Sequence, residues 1–149
     1  SKGKAVMNHT LRSIEHQEAV FKAIKSGIID TIGSDHAPHT LEEKARPYGS
    51  CPSGVPGIET TLPLLIEAYH QGLLSLKNIV DLTSRRAKEI FQLPDYADDY
   101  VLVDLSLARR VEEKQLKTKC QWSPFTGRLL RGWPVIIVLK NHVYDLARL

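Results

Sequence analysis

The sequence predicts an α/β fold, and three observations carry that expectation. An amphipathic stretch over residues 13–25 runs into Gly27 and then an apolar run, Ile28-Ile29-Asp30-Thr31-Ile32, which reads as half of an α/β unit with a buried strand. The run feeds Gly33-Ser34-Asp35-His36-Ala37-Pro38-His39, an acid and two imidazoles at a strand's C-terminal end, where α/β folds place their chemistry. Residues 36–58 then form a long Pro/Gly-rich segment with little periodicity, and a loop of that kind inside a compact domain is either functional or disordered.

Composition narrows the class. With 149 residues, 42% hydrophobic and 25% charged, the chain is long enough for a real core and too apolar for disorder. The net charge is +3, without a dense Lys/Arg cluster interleaved with aromatics, so a nucleic-acid surface is not expected. The longest apolar run, residues 135–139, is too short to cross a bilayer, and no membrane role or signal peptide is expected. Two cysteines, Cys51 and Cys120, fit a reducing compartment as well as a disulfide, and the expected location is cytoplasmic.

The elements follow in order. Residues 1–12 are polar and mixed and read as a fraying terminus. Ser13 opens a helix with Glu15 in its first turn, and Ile14, Ala19, Val20, Ala23 and Ile24 give it an apolar face. Gly27 is its C′ residue. Thr40 and Glu43 form a capping box for one short turn. Thr60 or Thr61 caps a second long helix, with Leu62, Leu65, Ile66 and Tyr69 as its stripe and Gly72 at its end. Ser75 caps a helix to about Thr83, with Ile79, Val80 and Leu82 inward, and a further short helix spans residues 86–91. Pro94 closes this region. Strands are expected at residues 100–105, 134–139 and 142–144, with residues 109–118 irregular and Lys140-Asn141 as an imperfect hairpin turn. The change in character places a domain boundary near Pro94, giving segments 1–94 and 95–149.

Several motifs then fall into a recognisable order. Ser34-Asp35-His36-Ala37-Pro38-His39-Thr40-Leu41-Glu42-Glu43-Lys44 and Pro52-Ser53-Gly54-Val55-Pro56-Gly57-Ile58-Glu59-Thr60 resemble the dihydroorotases of the amidohydrolase superfamily. Asp99-Tyr100-Val101-Leu102-Val103-Asp104-Leu105, Thr118-Lys119-Cys120-Gln121-Trp122-Ser123-Pro124-Phe125 and Gly132-Trp133-Pro134-Val135 extend the resemblance to nearly the whole chain. The resemblance implies a (β/α)8 barrel with a binuclear zinc site at its C-terminal face and a small β-sandwich. A whole barrel needs about 250 residues. The family's His-x-His, bridging lysine and two middle histidines have no counterpart here. The expectation is therefore a C-terminal portion: residues 1–94 the closing part of the barrel, and residues 95–149 the C-terminal strands of the sandwich.

The resemblance also assigns roles. Asp35 matches the last-strand aspartate, a zinc ligand that takes the proton from a metal-bound hydroxide and passes it to the ring nitrogen. His39 matches a contact to the substrate's carboxylate. Asn8 matches a substrate-contacting asparagine, although His9-Thr10 stand where the family has two prolines. Ser53 and Gly54 match positions whose backbone groups hold the ring. The implied reaction is reversible cyclisation of N-carbamoyl-aspartate to dihydroorotate, inactive in this portion alone. The implied partners are the missing N-terminal barrel portion, and a homo-oligomer or aspartate transcarbamoylase.

Other residues have plainer readings. His36 is expected to support the site rather than ligate, Glu59 to be a first-turn acid, Lys44 and Arg46 to be solvated loop charges, and Trp122 and Trp133 to be core aromatics. Three rival functions remain. A dihydropyrimidinase or allantoinase shares the last-strand aspartate, but His39 has a use only where a substrate carboxylate must be fixed. A dihydroorotase-like scaffold without activity is the second. A structural zinc site using His36, His39, Cys51 and Cys120 is the third, and its spacing fits a compact Cys/His centre poorly.

Overall fold

The computed structural model describes residues 2–8, 11–94, 96 and 98–146. Among the described residues, five α-helices precede a three-stranded antiparallel sheet of order β1-β2-β3. The helices are α1 (Ile14–Lys25), α2 (Leu41–Lys44), α3 (Thr61–His70), α4 (Leu76–Val80) and α5 (Arg86–Phe91). The strands are β1 (Tyr100–Arg110), β2 (Leu129–Leu139) and β3 (His142–Asp145).

The helix ends follow the local chemistry. In the capping box of α2, Glu43 N–H donates to the Thr40 hydroxyl and Thr40 N–H to the Glu43 carboxylate. Ser75 and Asn78 make the equivalent pair for α4. Helices α4 and α5 are joined through a π-helical turn, Asp81–Arg85, where the sequence reading expected a break. Arg85 and Lys77 both reach Asp81 one turn away, which holds that wide turn together and keeps the Asp81 carboxyl well below its usual range.

One core cluster serves the helices and reaches the sheet. Ile24, Ile66, Leu74, Ile79 and Leu82 are buried, with Leu62, Leu65, Tyr69, Val103 and Leu105 packed against them. Burying a side chain such as Ile66 contributes roughly 1.5–3 kcal/mol. Helix α3 sits directly on β2, and a Cβ at Gly132 would come within 1.9 Å of Ile66 Cγ2. Gly132 also has φ +92°, so both backbone and space require glycine there.

The sheet is longer than its sequence pattern indicates. Strand β1 runs on to Arg110 through a region expected to be irregular. Its polarity there comes from a bulge between Asp104 and Ala108, in which the Asp104 carboxylate accepts from Ser106 N–H, Ser106 Oγ–H and Leu107 N–H. Lys140 and Asn141 both adopt positive φ and turn β2 into β3, so the lysine tolerates the turn the sequence seemed to disfavour.

The expected strand over residues 28–32 does not form. These residues belong to no sheet, and Ile28 is 75% exposed. A parallel strand exists only when neighbours accept its hydrogen bonds, and among the described residues the one backbone hydrogen bond from residues 29–32 to another element is Ile32 N–H to the Leu82 carbonyl. The apolar face expected on α1 is likewise open: Ile14 and Val20 are 66% and 49% exposed, and only Ile24 is buried. Val80, expected inward, also faces out.

Candidate functional site

The site begins where the unpaired segment ends. Asp35 is exposed and has φ +44°, in the left-handed region that aspartate enters more readily than most side chains. The turn at Asp35 is held from both sides. Before it, Ser34 O lies where a Cβ on Gly57 would come within 2.7 Å. After it, His36 pairs with Val55 in a short parallel bridge, and Ala37 N–H donates to the Val55 carbonyl at 3.1 Å. A turn fixed on both flanks points the Asp35 carboxylate into solvent.

His36 is a support, as expected. Its Nδ1 accepts from Gly57 N–H at 3.1 Å and Ile58 N–H at 3.3 Å, which puts the proton of the neutral ring on Nε2. His39 is also tied inward. Its Nε2 lies 3.0 Å from the Ser53 carbonyl and its Nδ1 lies 3.8 Å from the Glu43 carboxylate. The Thr40 backbone N–H, first among its influences, holds the Glu43 carboxyl below its ordinary range.

Residues 52–54 complete the cluster. Gly54 has φ +117°, and a Cβ there would come within 2.5 Å of the Ala37 Cβ. Gly54 N–H donates to the Val6 carbonyl at 3.1 Å, which brings the segment bearing Asn8 against the loop. The terminus expected to fray is thus anchored, starting with a 3-10 turn, Lys2–Ala5. Asn8 itself is exposed, and its neighbours His9 and Thr10 lie outside the described residues. Ser53 N–H has no hydrogen-bond partner among the described residues. Asp35, His36, His39, Ser53 and Gly54 therefore share one loop cluster, with Asn8 two residues beyond its Val6 anchor.

Three residues play parts the sequence reading missed. Lys44, expected to be solvated, is 1% exposed, and its ammonium donates to the carbonyls of Val6, Pro52 and Gly54 at 2.8–3.0 Å. Glu59, expected to be a first-turn acid, accepts from Lys117 N–H and Thr118 N–H at 2.9 and 2.8 Å, straight from the segment beyond β1. Trp122 is fully buried, as a core aromatic should be, but its Nε1–H also donates to the His39 carbonyl at 2.7 Å. Nothing in the sequence marks these contacts, because each joins residues far apart in the chain.

Metal chemistry has one donor here. Among the described residues no group of three or more His, Cys, Asp or Glu side chains converges on a point. The described residues therefore do not fit a zinc centre by themselves; Asp35 is the exposed carboxylate on the turn, while Glu43 is engaged by Thr40 N–H and lies beside His39. Both described cysteines are free thiols. Among the described residues no helix is long and apolar enough to cross a membrane. A groove of about 340 Å³ lies away from Asp35, between Gly27, Asp30, Lys77, Asp81 and Arg86. Its charged rim is tied into ion pairs, Arg86 with Asp30 and Lys77 and Arg85 with Asp81.

Comparison with known proteins places this arrangement. No family model matches the chain. The backbone superposes on L-hydantoinase (dihydropyrimidinase) from Arthrobacter aurescens with a TM-score of 0.86 and 26% identity, over 94% of this chain and 34% of that one. It also matches an inactive dihydroorotase-like domain of a CAD-like multifunctional protein from Chaetomium thermophilum, with a TM-score of 0.67 and 30% identity over 91% of this chain and 37% of that one. The class is thus the α/β fold of the hydantoinase-like amidohydrolases, of which this chain carries part together with a small antiparallel sheet.

Sequence relatives narrow it. The chain is 42% identical to a dihydroorotase of Halobacterium salinarum over 146 residues, 93% of this chain and 35% of that protein. It is 40% identical over 117 residues to the multifunctional protein pyr1-3 of Dictyostelium discoideum, 77% of this chain and 5% of that protein. The chain is a relative of the dihydroorotases and spans about a third of the length of the dihydroorotase it matches.

Proposed function

We propose that this chain forms the Asp35-bearing part of a dihydroorotase, catalysing reversible ring closure of N-carbamoyl-aspartate to dihydroorotate. The observation that carries this reading is the 42% identity to a dihydroorotase across 93% of the chain. The exposed Asp35 carboxylate on its constrained turn supports it.

In this reading residues 1–94 are the closing part of a (β/α)8 barrel and residues 95–149 the C-terminal strands of a β-sandwich. Strands from outside the chain pair with residues 28–32 and supply the other donors of a zinc centre to which Asp35 contributes one. Zinc, when bound, supplies a hydroxide at neutral pH. Asp35, freely reachable, moves the proton between nucleophile and ring nitrogen. Ser53 offers its unpaired N–H to a ring carbonyl, Gly54 lets the backbone approach without a side chain, and we assign His39 and Asn8 to the substrate's carboxylate, His39 through Nδ1 because its Nε2 is held by the Ser53 carbonyl. The chain functions in the cytoplasm, in a homo-oligomer or with aspartate transcarbamoylase.

The likeness to a hydantoinase (dihydropyrimidinase) favours one competing reading, a cyclic amidohydrolase for rings without a carboxylate. The test is to combine this chain with one carrying the remaining barrel strands, then measure zinc content and turnover of dihydroorotate and dihydrouracil. Turnover of dihydroorotate with about two zincs per complex supports the proposal. Turnover of dihydrouracil alone supports the competitor. Zinc-free, inactive material that binds a transcarbamoylase replaces both with the scaffold reading.

A further inference from the structure

We propose that Lys44 is a positioning residue: its buried ammonium sets the peptide planes around Ser53 and Gly54 so that the Ser53 N–H is presented to substrate. This rests on the reading that residues 53 and 54 hold the ring.

The argument starts from an unusual burial. A lysine is almost never fully buried unless its charge is compensated. Lys44 is 1% exposed, and no carboxylate pairs with it among the described residues. Its three donors are used instead by three backbone carbonyls: Pro52 at 2.8 Å, Gly54 at 2.9 Å and Val6 at 3.0 Å. Three N–H groups meeting three acceptors satisfy the ammonium completely, and charge-assisted bonds of this length are strong.

The consequence follows from peptide geometry. In a planar trans peptide the C=O and N–H point in opposite directions. Turning the Pro52 carbonyl toward Lys44 therefore turns the Ser53 N–H away from it, and that N–H finds no protein partner among the described residues. The next units are locked by other means: the Ser53 carbonyl by His39 Nε2, and Gly54 N–H by the Val6 carbonyl. Lys44 closes the set, because it bonds the Gly54 carbonyl and the same Val6 carbonyl that receives Gly54 N–H. One side chain thus clamps the ring-holding loop to the segment that carries Asn8. Lys44 sits in the last turn of α2, which the Thr40–Glu43 capping box fixes next to His39. The position of the ammonium is therefore set by the helix rather than by the loop it holds.

The experiment uses the full protein that carries this chain and the variants Lys44→Met, which keeps the length and removes the donors, and Lys44→Gln, which keeps two donors without the charge. Two readouts are taken: hydrogen exchange at the Gly54 amide, and KM against kcat for dihydroorotate. For Lys44→Met the expected results are exchange at Gly54 faster by about tenfold with α3 unchanged, and KM raised about tenfold with kcat within about threefold. Lys44→Gln should fall between it and the parent protein on both. Unchanged exchange and unchanged KM overturn the proposal. A fall in kcat at constant KM also overturns it, since that assigns Lys44 to the chemical step. If neither variant folds, Lys44 is a core residue only and the positioning role is lost. Should the parent protein not turn over dihydroorotate, the dihydroorotase reading fails, while the exchange result still decides whether Lys44 sets the loop.

Discussion

The segments on either side of Asp35 are built in opposite ways. Residues 28–32 have strong strand character and no sheet, whereas residues 36–60 have little regular pattern and are held at several points by side-chain-to-backbone hydrogen bonds. The first depends on hydrogen bonds from neighbouring strands, which no sequence run can supply for itself. The second depends on side chains that reach back to its own backbone: His36 to Gly57 and Ile58, His39 to Ser53, and Lys44 to Pro52 and Gly54. A loop of this kind carries its order with it, and a strand of a parallel sheet borrows its order from partners. Asp35 sits at the junction, so its turn is shaped by the loop alone.

The largest effect expected is at that junction. Asp35→Asn, in the complex that turns over dihydroorotate, should lower kcat by roughly 10²–10⁴ while leaving the loop amides protected, as for loss of a proton-transfer group. Kinetics and exchange on the same samples check both halves. Gly132→Val tests the packing of α3 on β2. It forces a side chain onto Ile66 at positive φ and should destabilise the chain by about 1–3 kcal/mol, seen as a lower urea midpoint. Trp122→Phe keeps most of the buried ring and removes the donor to the His39 carbonyl. It should destabilise by about 1–3 kcal/mol, with faster exchange confined to residues near His39.

A smaller effect sharpens the contrast directly. Ile28→Ser should change the stability of this chain by less than about 0.5 kcal/mol, because Ile28 is already 75% exposed. The same substitution should be clearly destabilising once the flanking strands are present, which comparison of urea midpoints with and without them reads out. The smallest effect lies far from the site. Asp81 is depressed by its hydrogen bond to Arg85 and by Lys77, so its stabilisation is present above the unfolded carboxylate pKa of about 3.9 and is lost as pH falls below it. Asp81→Asn should flatten the acid limb of stability against pH, screened by salt because the pair is exposed.

Much of this was legible in the sequence, and the limits are physical. Helix caps and ends were readable because they are local: Thr40 with Glu43, Ser75 at the start of its helix, and Gly27 and Gly72 after theirs. So was the nearness of Asp35, His36 and His39 to a Pro/Gly loop. The extension of β1 to Arg110 was hidden by a bulge whose polar residues mimic a loop. The burial of Lys44 and the role of Glu59 were invisible, since the first needs carbonyls from Val6 and Pro52 and the second needs amides at residues 117 and 118. The failure of residues 28–32 to pair reflects the opposite case, a local signal with no partner among the described residues.

The central claim is that the loop is ordered from within while the segment before Asp35 waits for partners. Residue-resolved hydrogen exchange on this chain, alone and after addition of a chain carrying the proposed remaining barrel strands, tests it most directly. The account predicts that the Ala37 and Gly54 amides are protected in both samples, while the amides of Ile29, Asp30 and Thr31 exchange freely alone and become protected on mixing. Protection of residues 29–31 in the isolated chain, or free exchange at Ala37 and Gly54, would contradict it.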